Sequence, residues 1–311
     1  MTTTHTAEHV IAIEAEPGEV YRLIADVTGW HLLFEPTIHV EHLGRTGQEE
    51  RFRIWATAND GVLSWTSRRE LDEEAGRIRF WQEVSQHPVE SMWGEWHFEP
   101  VGGGTRVRLL HHYRVAGDDP EAGTWVEQAV DRNSTKELNA LREAAEQGVE
   151  RTRLGLTFED TLRIQAPADQ VYDFLYRAQD WPLLLPHVAT VSLREETPGL
   201  QVLEMETLSP DGHRHATKSI RVCSPSESIV YKQIRVPALL TLHTGRWTVR
   251  EEEPGTVAVT SQHSVMVDPA AISRVLGESA GVAEALAYAR RALSTNSLTT
   301  LRHAKETLER R

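Results

Sequence analysis

A serine stands two residues before an arginine at two places in the chain, Ser67-x-Arg69 and Ser219-x-Arg221. Both pairs lie in segments of alternating character that predict half-buried β-strands, so each serine shares a strand face with its arginine. In the first segment that face also carries Trp65. An arginine on such a face can donate hydrogen bonds to a carbonyl or enolate oxygen of a bound ligand. The alternative for Arg69 is a place near the strand end, where its side chain reaches water.

Two histidines, His111 and His263, could move protons beside these arginines. His111 shares one face of a strand with Tyr113, whereas three arginines occupy the opposite face. In the second half of the chain, His263 falls in the corresponding late strand and His243 replaces a methionine. Imidazole titrates near neutral pH, so a histidine that shares a cavity with an arginine is a candidate acid or base. A lone histidine in a core is more often structural.

Several large, polarisable side chains accompany the polar candidates and suit a flat, apolar ligand. The candidates for substrate binding are Trp30, Trp65, Met92, Trp96 and Tyr113 in the first half and Tyr231, His243 and Trp247 in the second. The commoner role of such side chains is to fill a protein core. Seven of the nine tryptophans lie in the first half, so pockets in the two halves should differ in shape and polarity.

We expect no metal and no cofactor. The histidines of His111-His112 and of His213-Arg214-His215 lack a third and a fourth ligand at a familiar spacing. The sequence also has no P-loop, no dinucleotide-binding glycine motif after a strand and no serine nucleophile elbow. The single cysteine, Cys223, is interpreted as a core thiol and fits a reducing compartment.

Composition and charge narrow the possible partners. The formal charge of −13 argues against nucleic acid and against an anionic membrane. The first residues lack the basic and apolar stretches of a signal peptide, and no run of about 20 apolar residues could span a bilayer. With 40% hydrophobic and 25% charged residues, the chain has ordinary globular composition. We therefore expect a cytoplasmic protein.

The chain contains an internal repeat. Residues 13–33 align without gaps to residues 164–184, and the matched positions are 151 apart. The same offset relates Gly94-x-Trp96 to Gly245-x-Trp247 much further along the chain. An offset that persists over such a distance predicts a tandem duplication.

Each half shows the same succession of predicted elements. A short strand leads into a helix that begins near Pro17 or Pro167, then a loop, several antiparallel strands and a long C-terminal helix follow. A long helix laid across a curved antiparallel sheet leaves a cavity between them. We therefore predict an α+β fold with one domain at 1–150 and a second at 151–311.

Five motifs resemble those of the aromatase/cyclases of bacterial type II polyketide synthases. They are Val20-Tyr21, Gly29-Trp30, Trp65–Arg69, Gly94–Trp96 and Asn133–Leu141. The tandem arrangement is similar to the di-domain subclass of that family. The resemblance implies that each half is a helix-grip domain, START-like or Bet v 1-like, in which a curved antiparallel sheet wraps around a long C-terminal helix and encloses a pocket.

The resemblance also implies roles for particular residues. In single-domain members, an arginine two residues after a serine and four after a tryptophan projects into the pocket, and that pattern falls on Trp65, Ser67 and Arg69. The family's pocket methionine, pocket tryptophan and late-strand polar residue fall on Met92, Trp96 and His111. The second half keeps the serine and the arginine of the first motif but not its tryptophan.

The implied substrate is a ketoreduced poly-β-ketone tethered to an acyl carrier protein. Its first ring, closed between carbons 7 and 12, would be dehydrated and aromatised, with Arg69 stabilising an enolate, His111 transferring a proton and Ser67 orienting or relaying. The partners would be the carrier protein and other components of the minimal polyketide synthase. Two alternatives stay open: a non-catalytic lipid or small-molecule carrier with the same fold, or one catalytic half joined to one structural half.

Overall fold

The computed structural model describes residues 3–58, 61–85, 87–117, 119–208 and 214–310. The chain divides into two compact units, Met1–Gly148 and Val149–Arg311. Each unit consists of one antiparallel sheet and a set of helices that ends in a long one. The α+β helix-grip fold expected for both halves is therefore confirmed.

In the N-terminal unit, seven antiparallel strands follow the order β1-β7-β6-β5-β4-β3-β2. The strands are β1 (His5–Ile13), β2 (Thr37–Thr46), β3 (Glu49–Ala58), β4 (Gly61–Asp72), β5 (Arg77–Gln82), β6 (Val89–Val101) and β7 (Gly104–Val115). The helices are α1 (Pro17–Ala25), α2 (Trp30–Leu33) and α3 (Pro120–Glu146). Apart from the pairing of β1 with β7, each strand pairs with its neighbours in sequence, so short turns suffice to connect β2 through β7.

The long helix α3 shows why these residues form a helix against the sheet. The side chain of Asp119 caps its first turn by accepting a hydrogen bond from the backbone N–H of Glu121 at 2.9 Å. Its buried residues recur every three or four positions, as in Ser134, Leu138 and Leu141. One face of α3 therefore packs onto the sheet, and the polar remainder faces solvent.

The C-terminal unit repeats this arrangement, with the strand order β8-β14-β13-β12-β11-β10-β9. Its strands are β8 (Gly155–Ile164), β9 (Val188–Thr197), β10 (Leu200–Leu208), β11 (Arg214–Ser224), β12 (Ser228–Arg235), β13 (Leu240–Glu253) and β14 (Thr256–Val267). Its helices are α4 (Gly148–Leu154), α5 (Ala168–Tyr176), α6 (Trp181–Leu184), α7 (Ile272–Leu276) and α8 (Val282–Leu308). The second half has more residues than the first before its last helix, and the short helix α7 lies in this added segment.

The segment after the first helix of each unit differs from the loop expected from the sequence. A 3₁₀ turn at Val27–Gly29 runs directly into α2, and a matching turn at Ala178–Asp180 runs into α6. The side chain of Asp26 accepts a hydrogen bond from the N–H of Thr28 at 3.0 Å. In the N-terminal unit, this local cap holds the backbone in a helical turn that hydrophobic periodicity does not reveal.

Strand pairing fixes what lies opposite each arginine. The pairing of β3 with β4 sets Glu50 opposite Arg69, and the pairing of β10 with β11 sets Gln201 opposite Arg221. Both arginines lie on the inner face of the sheet and are at most 2% exposed. The two units therefore share one frame but place a carboxylate beside one arginine and an amide beside the other.

Candidate active site

Arg69 is buried, and each nitrogen of its guanidinium donates a hydrogen bond. Its Nε donates to Oε2 of Glu50 at 2.5 Å, its Nη1 to the carbonyl of Ile24 at 2.7 Å and its Nη2 to the carbonyl of Ala25. The two carbonyls belong to the C-terminal end of α1, whose partial negative charge favours a cation. The alternative in which Arg69 reaches water is therefore wrong, because the side chain turns inward.

The carboxylate that meets Arg69 is itself buried and also contacts a histidine. Glu50 is 5% exposed, and its Oε1 lies 2.9 Å from Nε2 of His42. Burial lowers the pKa of Arg69, while the charge of Glu50 opposes that shift. A buried guanidinium in contact with a carboxylate is electrically compensated by the protein. In the N-terminal unit, the arginine thus already holds the acceptor that a ligand would have to supply.

Arg221 is held in the same way by backbone but lacks the carboxylate. Its Nη2 donates to the carbonyl of Leu175 at 2.6 Å and its Nη1 to that of Tyr176 at 3.4 Å, at the C-terminal end of α5. The ring of Trp181 lies 5.7 Å from the guanidinium carbon. No carboxylate lies within 4.0 Å of the Arg221 nitrogens among the described residues, and Nε donates to none of these residues.

Gln201 explains this difference between the two units. It occupies the position of Glu50, and its Nε2 donates to Oε2 of Glu195 at 2.8 Å. Glu195 also accepts hydrogen bonds from the hydroxyl of Tyr176 and from the N–H of Gly199. The nearby carboxylate is therefore bound to other groups, and no ion pair forms with Arg221.

Arg221 lines a cavity of about 190 Å³ inside the C-terminal unit, between the sheet and α8. The wall is mainly apolar, and helix α8 contributes Ser297 and Thr300 to it. All six residues selected from the second half of the sequence lie in this wall: Ser219, Arg221, Tyr231, His243, Trp247 and His263. Mainly apolar cavities with a few convergent polar groups are typical ligand sites.

His263 is the centre of a hydrogen-bonded network in this cavity. Its Nδ1 lies 3.0 Å from Nε2 of His243 and 3.1 Å from the hydroxyl of Tyr231. Its Nε2 lies 2.7 Å from the hydroxyl of Ser297 and 3.1 Å from that of Ser261. Burial lowers the pKa of His263 to about 4, with Asp160 opposing the shift, so the ring is neutral at neutral pH. Both ring nitrogens of His263 are thus engaged within the protein.

Gly245 makes room for this network. A Cβ atom at this position would lie 2.5 Å from the hydroxyl of Tyr231 and 2.6 Å from the carbonyl oxygen of Gln262. The glycine of the repeated Gly-x-Trp motif is therefore required by the close approach of a β12 side chain on one side and of the β14 backbone on the other.

Three cavity-lining side chains each hold a buried polar atom without a hydrogen-bond partner among the described residues. These atoms are Nδ1 of His187, Oε1 of Gln233 and Nδ1 of His243. Buried polar groups in proteins nearly always have partners, and exceptions call for a water, an ion or a ligand. Sequence reasoning selected His243 but missed the other two. Gln233 matches Gln82 in the repeat, which was the one signal for it.

In the N-terminal unit, most of the predicted binding residues belong to the packed core. Trp96 is 5% exposed and packs in the main cluster, while Trp30 and Trp65 pack against a second cluster around Phe52. Met92 packs beside Tyr113 in a third cluster. Ser67 is 5% exposed on the inner face of β4. The tryptophans and Met92 therefore surround the interior as parts of three apolar clusters.

His111 also faces the interior of the N-terminal unit. Its Nδ1 lies 3.4 Å from the hydroxyl of Ser134 on α3, and its ring contacts the edge of Phe80. Burial, with His9 and His112 nearby, lowers the pKa of His111 to about 4. The histidine is therefore neutral at neutral pH and is held between strand and helix.

Glu137 is a titratable residue of this interior that sequence reasoning missed. It follows Ser134 by one helical turn on α3, and burial raises the pKa of its carboxyl to about 7. The signal for it was a glutamate on the apolar face of α3. In the second half, Ser297 stands at the equivalent position if Leu138 is matched to Leu298. The two interiors thus differ in polarity on the helix side as well as on the sheet side.

Metal-binding clusters and membrane-spanning helices are both absent from the described part of the chain. The described residues contain no group of three or more histidine, cysteine, aspartate or glutamate side chains that could hold a metal ion, and His213 lies outside them. Within the same residues, no helix is long and apolar enough to cross a bilayer.

Comparisons with known proteins agree with the fold and identify the family. Two family models, both described as polyketide cyclase/dehydrase and lipid transport, match residues 4–146 and residues 164–281. The granaticin polyketide synthase bifunctional cyclase/dehydratase of Streptomyces violaceoruber is 46% identical, over 99% of this chain and 95% of its own. The actinorhodin polyketide synthase bifunctional cyclase/dehydratase of Streptomyces coelicolor is 44% identical, over 96% of each chain.

Solved structures of di-domain aromatase/cyclases also superpose over nearly the whole chain. BexL, from the BE-7585A biosynthetic pathway, is 52% identical with a TM-score of 0.90 over 99% of both chains. StfQ, from the steffimycin biosynthetic pathway, is 34% identical with a TM-score of 0.88 over 98% of both chains. The chain therefore belongs to the polyketide cyclase/dehydratase family, in its di-domain aromatase/cyclase form, and is an enzyme of that family.

Proposed function

We propose that the C-terminal cavity dehydrates and aromatises the first ring, closed between carbons 7 and 12, of a ketoreduced poly-β-ketone carried by an acyl carrier protein. The observation that supports this assignment most directly is the state of Arg221. It lines a cavity with histidines and lacks the carboxylate that compensates Arg69. The relatives in polyketide synthases support the reaction class.

Arg221 is the group that stabilises negative charge in this proposal. Its position beside α5 is set by two backbone carbonyls, which leaves Nε without a partner among the described residues. A fixed guanidinium in a cavity that excludes water interacts strongly with a developing enolate oxygen, because the donor is already oriented before the reaction begins. Ser219 lines the same cavity two residues earlier on β11 and can orient that oxygen.

His243 is the group that exchanges protons with the substrate, and His263 positions it. When Nε2–H of His263 donates to Ser297, its Nδ1 accepts from Nε2–H of His243. This arrangement leaves a lone pair on Nδ1 of His243, the atom that has no partner among the described residues. Burial, together with His263, lowers the pKa of His243, so the ring is a neutral base. We therefore assign to His243 the proton-transfer role that the sequence predicted for His263.

The step balances without an oxidant or a reductant. A proton passes from the ring carbon beside the ketone to Nδ1 of His243, and the electron pair of that C–H bond forms an enolate whose oxygen accepts from Arg221. The enolate electrons then form the new carbon–carbon double bond, while the β-hydroxyl departs with the proton from His243 as water. Burial favours loss of the proton from the imidazolium, so it is returned readily. In a ring that already holds one carbon–carbon double bond from its closure, enolisation of the remaining ketone then supplies the third double bond and completes the aromatic ring.

The N-terminal unit is the structural half in this proposal. Its arginine is engaged by Glu50 and by the end of α1, and the tryptophans around it pack in the core. These contacts favour the alternative in which one half is catalytic and the other is structural.

Matched substitutions of the two arginines test the proposal. The reaction is followed by mass spectrometry on the carrier protein loaded with the ketoreduced chain, where dehydration removes the mass of one water. Arg221→Gln should abolish that loss in a protein that stays folded by circular dichroism. The control is the double variant Glu50→Gln, Arg69→Gln, which removes the N-terminal pair together and should leave the loss of water. The reverse pattern would assign the chemistry to the N-terminal unit.

A further inference from the structure

Each unit places a glutamine beside the serine of its Ser-x-Arg motif. Gln82 pairs across the strands with Ser67, and Gln233 pairs with Ser219. The two glutamines are also 151 positions apart, the offset of the repeat. They are therefore equivalent residues, and their surroundings can be compared directly.

In the N-terminal unit, the amide of Gln82 is satisfied by its own domain. The hydroxyl of Ser85 donates to Oε1 of Gln82 at 3.1 Å, and Nε2 of Gln82 lies 3.6 Å from the sulfur of Met92. The partner of the carbonyl oxygen lies only three residues further along the chain. This glutamine has no need of a ligand.

In the C-terminal unit, both of these partners are replaced. Val236 stands three residues after Gln233, where Ser85 follows Gln82, and a valine side chain has no donor. His243 stands where Met92 stands. As a result, Oε1 of Gln233 is buried in the cavity wall with no hydrogen-bond partner among the described residues. Strand β12 also continues past Gln233 to Arg235, whereas β5 ends at Gln82, so the bend that brings Ser85 back to Gln82 has no counterpart directly after Gln233.

An orphaned amide oxygen restricts the ligand that the cavity accepts. The oxygen can only accept a hydrogen bond, so its partner must carry a donor. A hydroxyl can meet this need, whereas a ketone on the same ring brings a second acceptor and leaves both oxygens unpaired. Burying a polar group without a partner costs free energy, and sites built around a ligand hydroxyl reject analogues that lack it.

We propose that Gln233 is a specificity-determining residue of the C-terminal cavity, which selects the hydroxyl of a ketoreduced ring over the ketone of an unreduced one. The inference rests on the proposed function for the location of the substrate. It adds the residue that distinguishes a reduced ring from an unreduced one. The neighbouring Ser219 and Arg221 keep their orienting and charge-stabilising roles.

Binding of a matched pair of small probes tests the selection without chemistry. The probes are 1-tetralol and 1-tetralone, which share one bicyclic skeleton and differ only in a hydroxyl or a ketone. Isothermal titration calorimetry on the full chain measures the two Kd values. We expect the alcohol to bind about tenfold more tightly than the ketone, because a single buried hydrogen bond distinguishes them. Equal affinities, or no detectable binding of the alcohol, would overturn the proposal.

A variant of the cavity identifies the residue responsible. Gln233→Leu removes the acceptor and should bring the alcohol-to-ketone ratio close to one. The matched control is Gln82→Leu, which should leave the ratio unchanged. A preference that survives in Gln233→Leu would assign the selection elsewhere and refute the inference.

The outcome can be separated from that of the proposed function. If the wild-type chain dehydrates the carrier-bound substrate but Gln233→Leu keeps the alcohol preference, the inference fails and the function stands. If the preference depends on Gln233 but no water is lost from the carrier-bound chain, the cavity is a hydroxyl-selective binding site and the proposed reaction fails.

Discussion

Arg69 donates to the buried carboxylate of Glu50 at 2.5 Å, whereas Arg221, the equivalent arginine of the second unit, has no carboxylate partner among the described residues. Gln201 stands at the position of Glu50 and turns its amide toward Glu195 instead. One substitution of a carboxylate by an amide thus separates a compensated arginine from one whose charge is available to a ligand. The predictions below follow from that difference and from the histidine network that accompanies it.

Glu50→Gln should destabilise the N-terminal unit. The change leaves the charge of Arg69 buried without its counterion, for which a loss of about 3–5 kcal/mol in the free energy of unfolding is typical. Urea denaturation followed by tryptophan fluorescence measures the loss, because seven of the nine tryptophans lie in the first half. Glu49→Gln is the control, since the side chain of Glu49 is 63% exposed and its pair with Arg68 contributes little. Equal stability of the two variants would show that the buried pair is not structural.

The double variant Gln201→Glu, Glu195→Gln should inactivate the enzyme without unfolding it. It moves the carboxylate to the position beside Arg221 and keeps the local charge and hydrogen-bonding capacity. The guanidinium is then compensated as Arg69 is, so we expect turnover to fall by about 100-fold or more. Turnover of the ketoreduced carrier-bound chain and the urea midpoint are measured together. A fully active double variant would contradict the role of Arg221 as a free cation.

His243→Gln should lower turnover more than any other histidine substitution. The variant removes the nitrogen that has no partner within the described residues, and loss of a placed acid–base group costs about 100 to 10,000-fold. His263→Asn should cost less, because it disturbs the position of His243 and leaves its ring in place. The pH–rate profile separates the two, since only loss of the proton-transferring group flattens it. The control is His111→Gln in the N-terminal unit, for which normal turnover is expected.

Acid should destabilise the C-terminal unit through His263. Its pKa is about 4 in the folded chain and about 6.5 when unfolded, so the unfolded chain binds the extra proton between these values. The stabilising contribution of the neutral ring is present above pH 6.5 and is lost as the pH falls toward 4, by up to about 3 kcal/mol. The free energy of unfolding at pH 7.5, 6 and 5 tests this for wild type and His263→Gln. If the two curves run parallel, the prediction is wrong.

The repeat and the alternation of side chains along each strand determined much of the observed structure. The shared offset predicted two copies of one fold, and the period of two placed Ser67, Arg69 and His111 on inner faces, where the structure has them. Alternation suffices for such assignments because successive side chains of a strand point to opposite faces. The helical turns before Trp30 and Trp181 escaped prediction, since a turn of three residues is too short to show a hydrophobic period, and the first is held by a local cap from Asp26.

Tertiary structure decided which arginine is available and what surrounds it. Glu50 lies 19 residues before Arg69, and only the pairing of β3 with β4 brings them together. Ser297 meets His263 across 34 residues because α8 packs onto the sheet. The sequence by itself determined the fold, the duplication and the inward residues. The inward residues follow from periodicity along single strands, and the duplication follows from the offset shared by the two halves. The charge balance of each arginine and the shape of the cavity depend on contacts between distant segments, which only the packed chain brings together.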